Sequence, residues 1–124
     1  MEKKDLKPAG VFKYFEEICQ VPRPSKKEEK MIAYLKAFGA KHNLETKVDE
    51  AGNVLIKKPA TPAKENLQTV VLQSNIDIVC EKNNDVQHDF LTDHIETEID
   101  GEWLKAKGTT LGDDNGIGVD TELA

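Results

Sequence analysis

Two short stretches hold the residues whose types and spacing suit chemistry. In Thr69-Val-Val-Leu-Gln-Ser-Asn-Ile-Asp77, an apolar, β-branched run gives way at its C-terminal end to Ser74, Asn75 and Asp77. Open α/β sheets bind ligands at the carboxyl ends of their strands, so this is a site-like placement. In Gly108-Thr-Thr-Leu-Gly-Asp-Asp-Asn-Gly-Ile-Gly118, two adjacent carboxylates, Asp113 and Asp114, lie between glycines that permit tight turns, directly before a run able to start a helix. Neighbouring acids repel unless a cation or water balances them, and a divalent metal is the natural candidate. The plainer alternative is structural. Asp77 then caps a turn, and Asp113 with Asp114 feeds a helix N-terminus, where the dipole favours negative charge.

Other chemistries fit less well. With Gly116 at the sixth position of a calcium loop, Leu111 falls on the first ligand position and cannot ligate. The glycines end in no Gly-Lys-Ser/Thr and complete no Gly-x-Gly-x-x-Gly, so they make no phosphate cradle. Cys80, His88 and His94 have spacings that match no closed structural zinc site.

The elements that must position these residues follow from periodicity. Between Leu6 and Gln20, the apolar positions Val11, Phe12, Phe15, Ile18 and Cys19 recur at three and four, predicting an amphipathic helix ended by Pro22 and Pro24. Ser25 stands three residues before Glu28, a capping-box spacing that predicts a second helix over 26–42 with Met31, Ile32, Leu35 and Phe38 inward. Gly39 lies within that pattern, and fraying is expected from there. Residues 44–49 and 53–57 alternate around Ala51-Gly52-Asn53 as a hairpin, and 95–105 alternate around Asp100-Gly101 as a second one. Residues 59–66 and 81–93 read as loops, a helix is expected from Asn115, and Trp103 is expected in the core.

Here the residues resemble a known family. Leu72-Gln-Ser-Asn-Ile-Asp-Ile-Val-Cys-Glu-Lys-Asn-Asn84, His88-Asp-Phe90, Ile99-Asp-Gly-Glu-Trp103 and Lys107 to Gly118 look like the N-terminal part of the aminoacyl-histidine dipeptidases, also called Xaa-His dipeptidases or peptidase D. These are members of the zinc metallopeptidase superfamily that includes carnosinase and peptidase T. The resemblance covers nearly the whole chain but only the start of the family's length. It implies an α/β fold: two N-terminal helices packed on a mixed sheet of about five strands, ending in a truncated helix. Residues 1–124 would then be an incomplete N-terminal part of the catalytic domain.

The resemblance also implies site roles. The family's strand end carries His-x-Asp, in which the His binds zinc and the Asp orients the imidazole. Asn75 stands at the His position, and a neutral amide is a poor zinc ligand. Asp77 matches the orienting Asp and Asp114 the carboxylate that bridges two zinc ions, while Asp113 stands where a small neutral residue is common. The family's adjacent glutamates, one of them the general base, and its distal ligands have no counterpart in these 124 residues. The expected function is metal-dependent hydrolysis of Xaa-His dipeptides, with this chain inactive alone and its zinc binding weak or partial. The alternative is a non-catalytic truncated domain that acts by association, with self-association through uncovered apolar surface.

Bulk composition sets outer limits. At 124 residues, 38% hydrophobic and 32% charged, the chain can bury a modest core. A net charge of -6 leaves no basic face for nucleic acid or an anionic membrane. The charged N-terminus leads into no apolar run of signal-peptide or membrane-spanning length, which points to the cytoplasm, where Cys19 and Cys80 would remain thiols.

Overall fold

The computed structural model describes all 124 residues. After a short 3-10 turn at Lys3–Asp5, the order is α1 (Ala9–Cys19), α2 (Glu29–Lys41), β1 (Glu45–Val48), β2 (Val54–Lys57), β3 (Thr97–Asp100), β4 (Trp103–Ala106) and α3 (Asp113–Leu123). Helix α1 begins after Pro8 and buries Phe15, Ile18 and Cys19 of the predicted stripe, with Val11 and Phe12 half-buried. Helix α2 buries Met31, Leu35 and Gly39, spaced by four along one face. These side chains meet Ile78, Ile95 and Val119 in a single core.

Helix α2 starts three residues later than the capping-box reading places it. The Ser25 hydroxyl donates to Asp77 and accepts no helix amide, and the Glu28 carboxylate accepts from the Lys26 amide. Gly39 does not fray the helix. A Cβ there would lie 1.9 Å from Thr46 Oγ1, so the missing side chain is what lets β1 cross directly over α2.

Both hairpins form where the alternation places them. β1 pairs antiparallel with β2 from Glu45↔Lys57 to Val48↔Val54, and the Asp49 carboxylate closes their turn by accepting from the Ala51 and Asn53 amides. β3 pairs with β4 from Thr97↔Ala106 to Asp100↔Trp103. The pleat turns Leu104 and Ala106 toward the core and Trp103 away from it, so Trp103 is 75% exposed and not a core residue.

The sheet differs most from expectation. Four strands form two separate two-stranded ladders, not one mixed sheet of about five. The expected central strand, 69–77, is not a strand: between Gln68 and Asp77 no backbone N–H or C=O bonds another backbone group. A sequence can specify an extended, β-branched run, but a strand requires a neighbouring backbone, and this chain brings none alongside. The segment's backbone pairs first at Ile78, through a bridge to Pro24.

Candidate functional site

The two chemistry-bearing stretches are brought together by a residue whose role sequence reasoning missed. Arg23, between Pro22 and Pro24, is 1% exposed, and its guanidinium donates to Ile76 O at 3.4 Å and Gly112 O at 3.1 Å. It ties the end of the extended segment to the turn that carries the two aspartates. Burial holds its pKa below the usual guanidinium value, while the fields of Cys19, Asp120 and Asp77 oppose that shift. The stretches also meet along their backbones: the Thr110 amide donates to Glu81 O, the Thr110 hydroxyl to Val79 O, and Lys82 bridges Thr109.

Gly112 fits this junction only as glycine. Its φ is +83°, and a Cβ would meet Arg23 Nη2 at 2.8 Å and Ile78 Cγ2 at 2.9 Å. The turn then enters α3 irregularly, with Asp114 and Asn115 outside helical φ/ψ and a cis peptide between them. Regular helix therefore starts after Asn115, whose Oδ1 accepts the Gly118 amide and caps it.

Asp77 accepts hydrogen bonds from the Ser25 hydroxyl and from Asn75 Nδ2, the latter at 3.1 Å. Those two donors, the hydroxyl first, hold its carboxyl below the usual range, with the nearby Arg23 charge adding to them. Asn75 and Asp77 are thus in contact. Asp113 and Asp114 are exposed on their turn, and no three His, Cys, Asp or Glu side chains converge in a way that would hold a metal ion. Asn75 has committed its amide nitrogen to Asp77, so only a neutral oxygen remains for any cation. Asn75, Asp113 and Asp114 do not by themselves supply a zinc ligand set.

A second missed residue is Asp120. Four positions after Gly116, on the α3 face that packs against α1, it is fully buried, and neither carboxylate oxygen has a hydrogen-bond partner. Burial pushes its pKa up to about 7, against the weaker pull of its own and the Thr121 backbone amides and, last, of Arg23. Its i,i+4 relation to Gly116 and adjacency to Val119 mark a core position, the signal that could have identified it. Beside it, burial pushes the Cys19 thiol up to about 12, making it unreactive. Both cysteines are free thiols.

No family model matches the chain. It is 46% identical over 123 residues to the cytosol non-specific dipeptidase of Escherichia coli (strain K12), an alignment that covers 99% of this chain and 25% of that protein. The crystal structure of aminoacylhistidine dipeptidase from Vibrio alginolyticus superposes with a TM-score of 0.95 at 49% identity, covering 99% of this chain and 25% of that one. The chain matches a quarter of an aminoacyl-histidine dipeptidase. Both alignments cover 99% of the chain, a span that includes the Arg23 junction and the Gly-Asp-Asp turn. The dipeptidase-like segment contains no helix long and apolar enough to cross a membrane.

Proposed function

We propose that the chain is the N-terminal part of a metallodipeptidase catalytic domain whose complete form hydrolyses dipeptides, Xaa-His dipeptides among them, and that these 124 residues by themselves do not catalyse the reaction. The observation that carries the relationship is the TM-score of 0.95 at 49% identity with a solved aminoacylhistidine dipeptidase. The chain spans about a quarter of the length of the proteins it matches. Its likeness to a cytosol dipeptidase supports a cytoplasmic location.

The second half of the proposal rests on the site. Metal-assisted amide hydrolysis requires a metal-held water, a base within hydrogen-bond reach of it and a group to stabilise the oxyanion. Asp77 is held ionised by Ser25 and Asn75, which makes it a poor proton acceptor at neutral pH. No third ligand joins Asp113 and Asp114. Absence of a base alone typically removes about 10²- to 10⁴-fold of rate. This arrangement favours the non-catalytic reading for the chain alone.

The test is histidine release from an Xaa-His dipeptide by the purified chain with zinc, cobalt or manganese in excess, before and after chelation. No turnover above background is expected, and chelator-sensitive turnover that co-purifies with the chain would refute the proposal. Zinc titration by calorimetry checks the site assignment: binding is expected to be weaker than micromolar, and Asn75→His is expected to tighten it about 10-fold by restoring an imidazole beside Asp77. An unchanged affinity removes Asn75 from the metal position.

A further inference from the structure

Asp120 and Arg23 are both enclosed by the chain, at 0% and 1% exposed, and they are neighbours that are not paired. A Cβ built on Gly116 would lie 2.8 Å from Arg23 Nη2, and Gly116 stands four residues before Asp120. Residues four apart share a helix face with Cβ positions about 5–6 Å apart, and helical side chains lean toward the N-terminus. The Asp120 carboxyl therefore leans toward the guanidinium. Yet no ion pair joins the two, and neither Asp120 oxygen has a hydrogen-bond partner. Instead the guanidinium lies in a notch that two glycines leave open. Nη2 is 2.8 Å from the Cβ positions of both Gly112 and Gly116, and the hydrogen bonds of the group go to Gly112 O and Ile76 O.

This arrangement suits only an uncharged Asp120. A buried carboxylate without a partner is costly to hold, and a cation one helical turn away is the ready means of relieving it. Burial has raised this carboxyl to about 7, so both charge states are reached near neutral pH. The other groups around it offer no rival cation. Cys19 on α1 and Tyr34 on α2 are held neutral, with the Tyr34 hydroxyl donating to Glu17. Glu16 accepts from Thr97 and pairs with Lys3, and Asp77, whose field also reaches Arg23, is bound by Ser25 and Asn75. On α3 itself, Glu122 accepts from Ser74, and Asp113 and Asp114 lie at the opposite end from it. Arg23 is the one cation whose field reaches Asp120, beside the weak pull of the Asp120 and Thr121 amides.

We propose that Asp120 and Arg23 form a proton-operated latch on the Gly112 turn. With the proton in place, Arg23 holds Gly112 O and Ile76 O. When the proton leaves to solvent, the guanidinium moves to the Asp120 carboxylate, and the turn that carries Asp113 and Asp114 loosens from the Ile76 segment. The latch is built from groups that these 124 residues already enclose, and it does not depend on the dipeptidase reading.

Hydrogen exchange of the full chain at pH 5.5 and 8.5, with each amide normalised to its chemical exchange rate, tests this. The reporters are Thr110 and Gly116, whose amides bond Glu81 O and Gly112 O, and the references are Ile18 within α1 and Leu35 within α2. Raising the pH should accelerate the reporters at least about 10-fold relative to the references, because the turn opens locally while the helices stay closed. Asp120→Asn keeps the shape of the side chain but cannot ionise, and it should abolish the acceleration while leaving His42, His88 and His94 in place. Asp120→Ala, which also lacks the charge, should do the same. In the unsubstituted chain, the carbon-13 resonance of the Asp120 carboxyl and the Nε–H resonance of Arg23 should shift with one shared midpoint. Reporters that keep pace with the references overturn the proposal, as does an acceleration that persists in either variant. So does an Asp120 carboxyl that does not titrate between these pH values, or one that titrates while the Arg23 resonance stays where it was.

Discussion

Asp120 should make the stability of this protein fall as pH rises from about 4 to 7, and replacing it should remove that fall. The folded-state pKa is about 7 against an ordinary 3.8. The raised value means that between those two pH values the unfolded chain releases a proton that the folded chain retains. Stability is therefore greatest below the unfolded pKa, declines through the interval and levels off above the folded pKa. A shift of about three units sets an upper bound of roughly 4 kcal/mol at 1.36 kcal/mol per unit. The side chain has no exposed surface, yet only a moderate depth of protein covers it, and the Arg23 guanidinium partly offsets the charge. Screening at that depth brings the expected effect to about 2 kcal/mol. The groups sharing its surroundings, Arg23, Cys19 and Tyr34, keep their protonation states over this range: burial holds Cys19 up at about 12 and, with the Glu17 hydrogen bond, pushes Tyr34 further up, while Arg23 stays cationic. Asp120→Ala should therefore raise Tm at pH 8 by about 6 to 10 °C and change it little at pH 4.5. Calorimetric scans of both proteins from pH 4.5 to 8 test this. Parallel Tm profiles, with the same gap at both ends, would show that Asp120 reaches water and that its burial has been misread.

Two further substitutions probe the frame around the site. Arg23→Met keeps the apolar stem but leaves Gly112 O without its buried donor and frees the turn from the extended segment; a loss of about 2 to 4 kcal/mol in urea unfolding is expected, and a loss under about 0.5 would exclude Arg23 as the strut. Gly39→Ala, ordinarily favourable in a helix by roughly 1 kcal/mol, should instead destabilise by about 1 to 3, because the new methyl meets Thr46; pairing it with Thr46→Gly should recover much of that loss in a double-mutant cycle.

Local pattern determined much of this protein. The three- and four-residue spacing of Phe15, Ile18 and Cys19, and of Met31 and Leu35, located both N-terminal helices, because a helix buries one stripe whatever lies opposite. Alternation with Gly52 and Gly101 turns located both hairpins, whose pairing is settled within about a dozen residues. The motif residues pointed to the dipeptidases, and the comparison over the whole chain agrees. Tertiary structure alone decided the rest. Whether residues 69–77 form a strand depends on a neighbouring backbone, which no local pattern supplies. Gly39 reads as a helix weakness until Thr46 is seen lying across it. Arg23 and Asp120 look like solvated charges in the sequence. They are buried because the chain folds Pro22–Pro24 beneath the Gly112 turn and lays α3 on α1, and charge placement at that range is set by packing between distant segments.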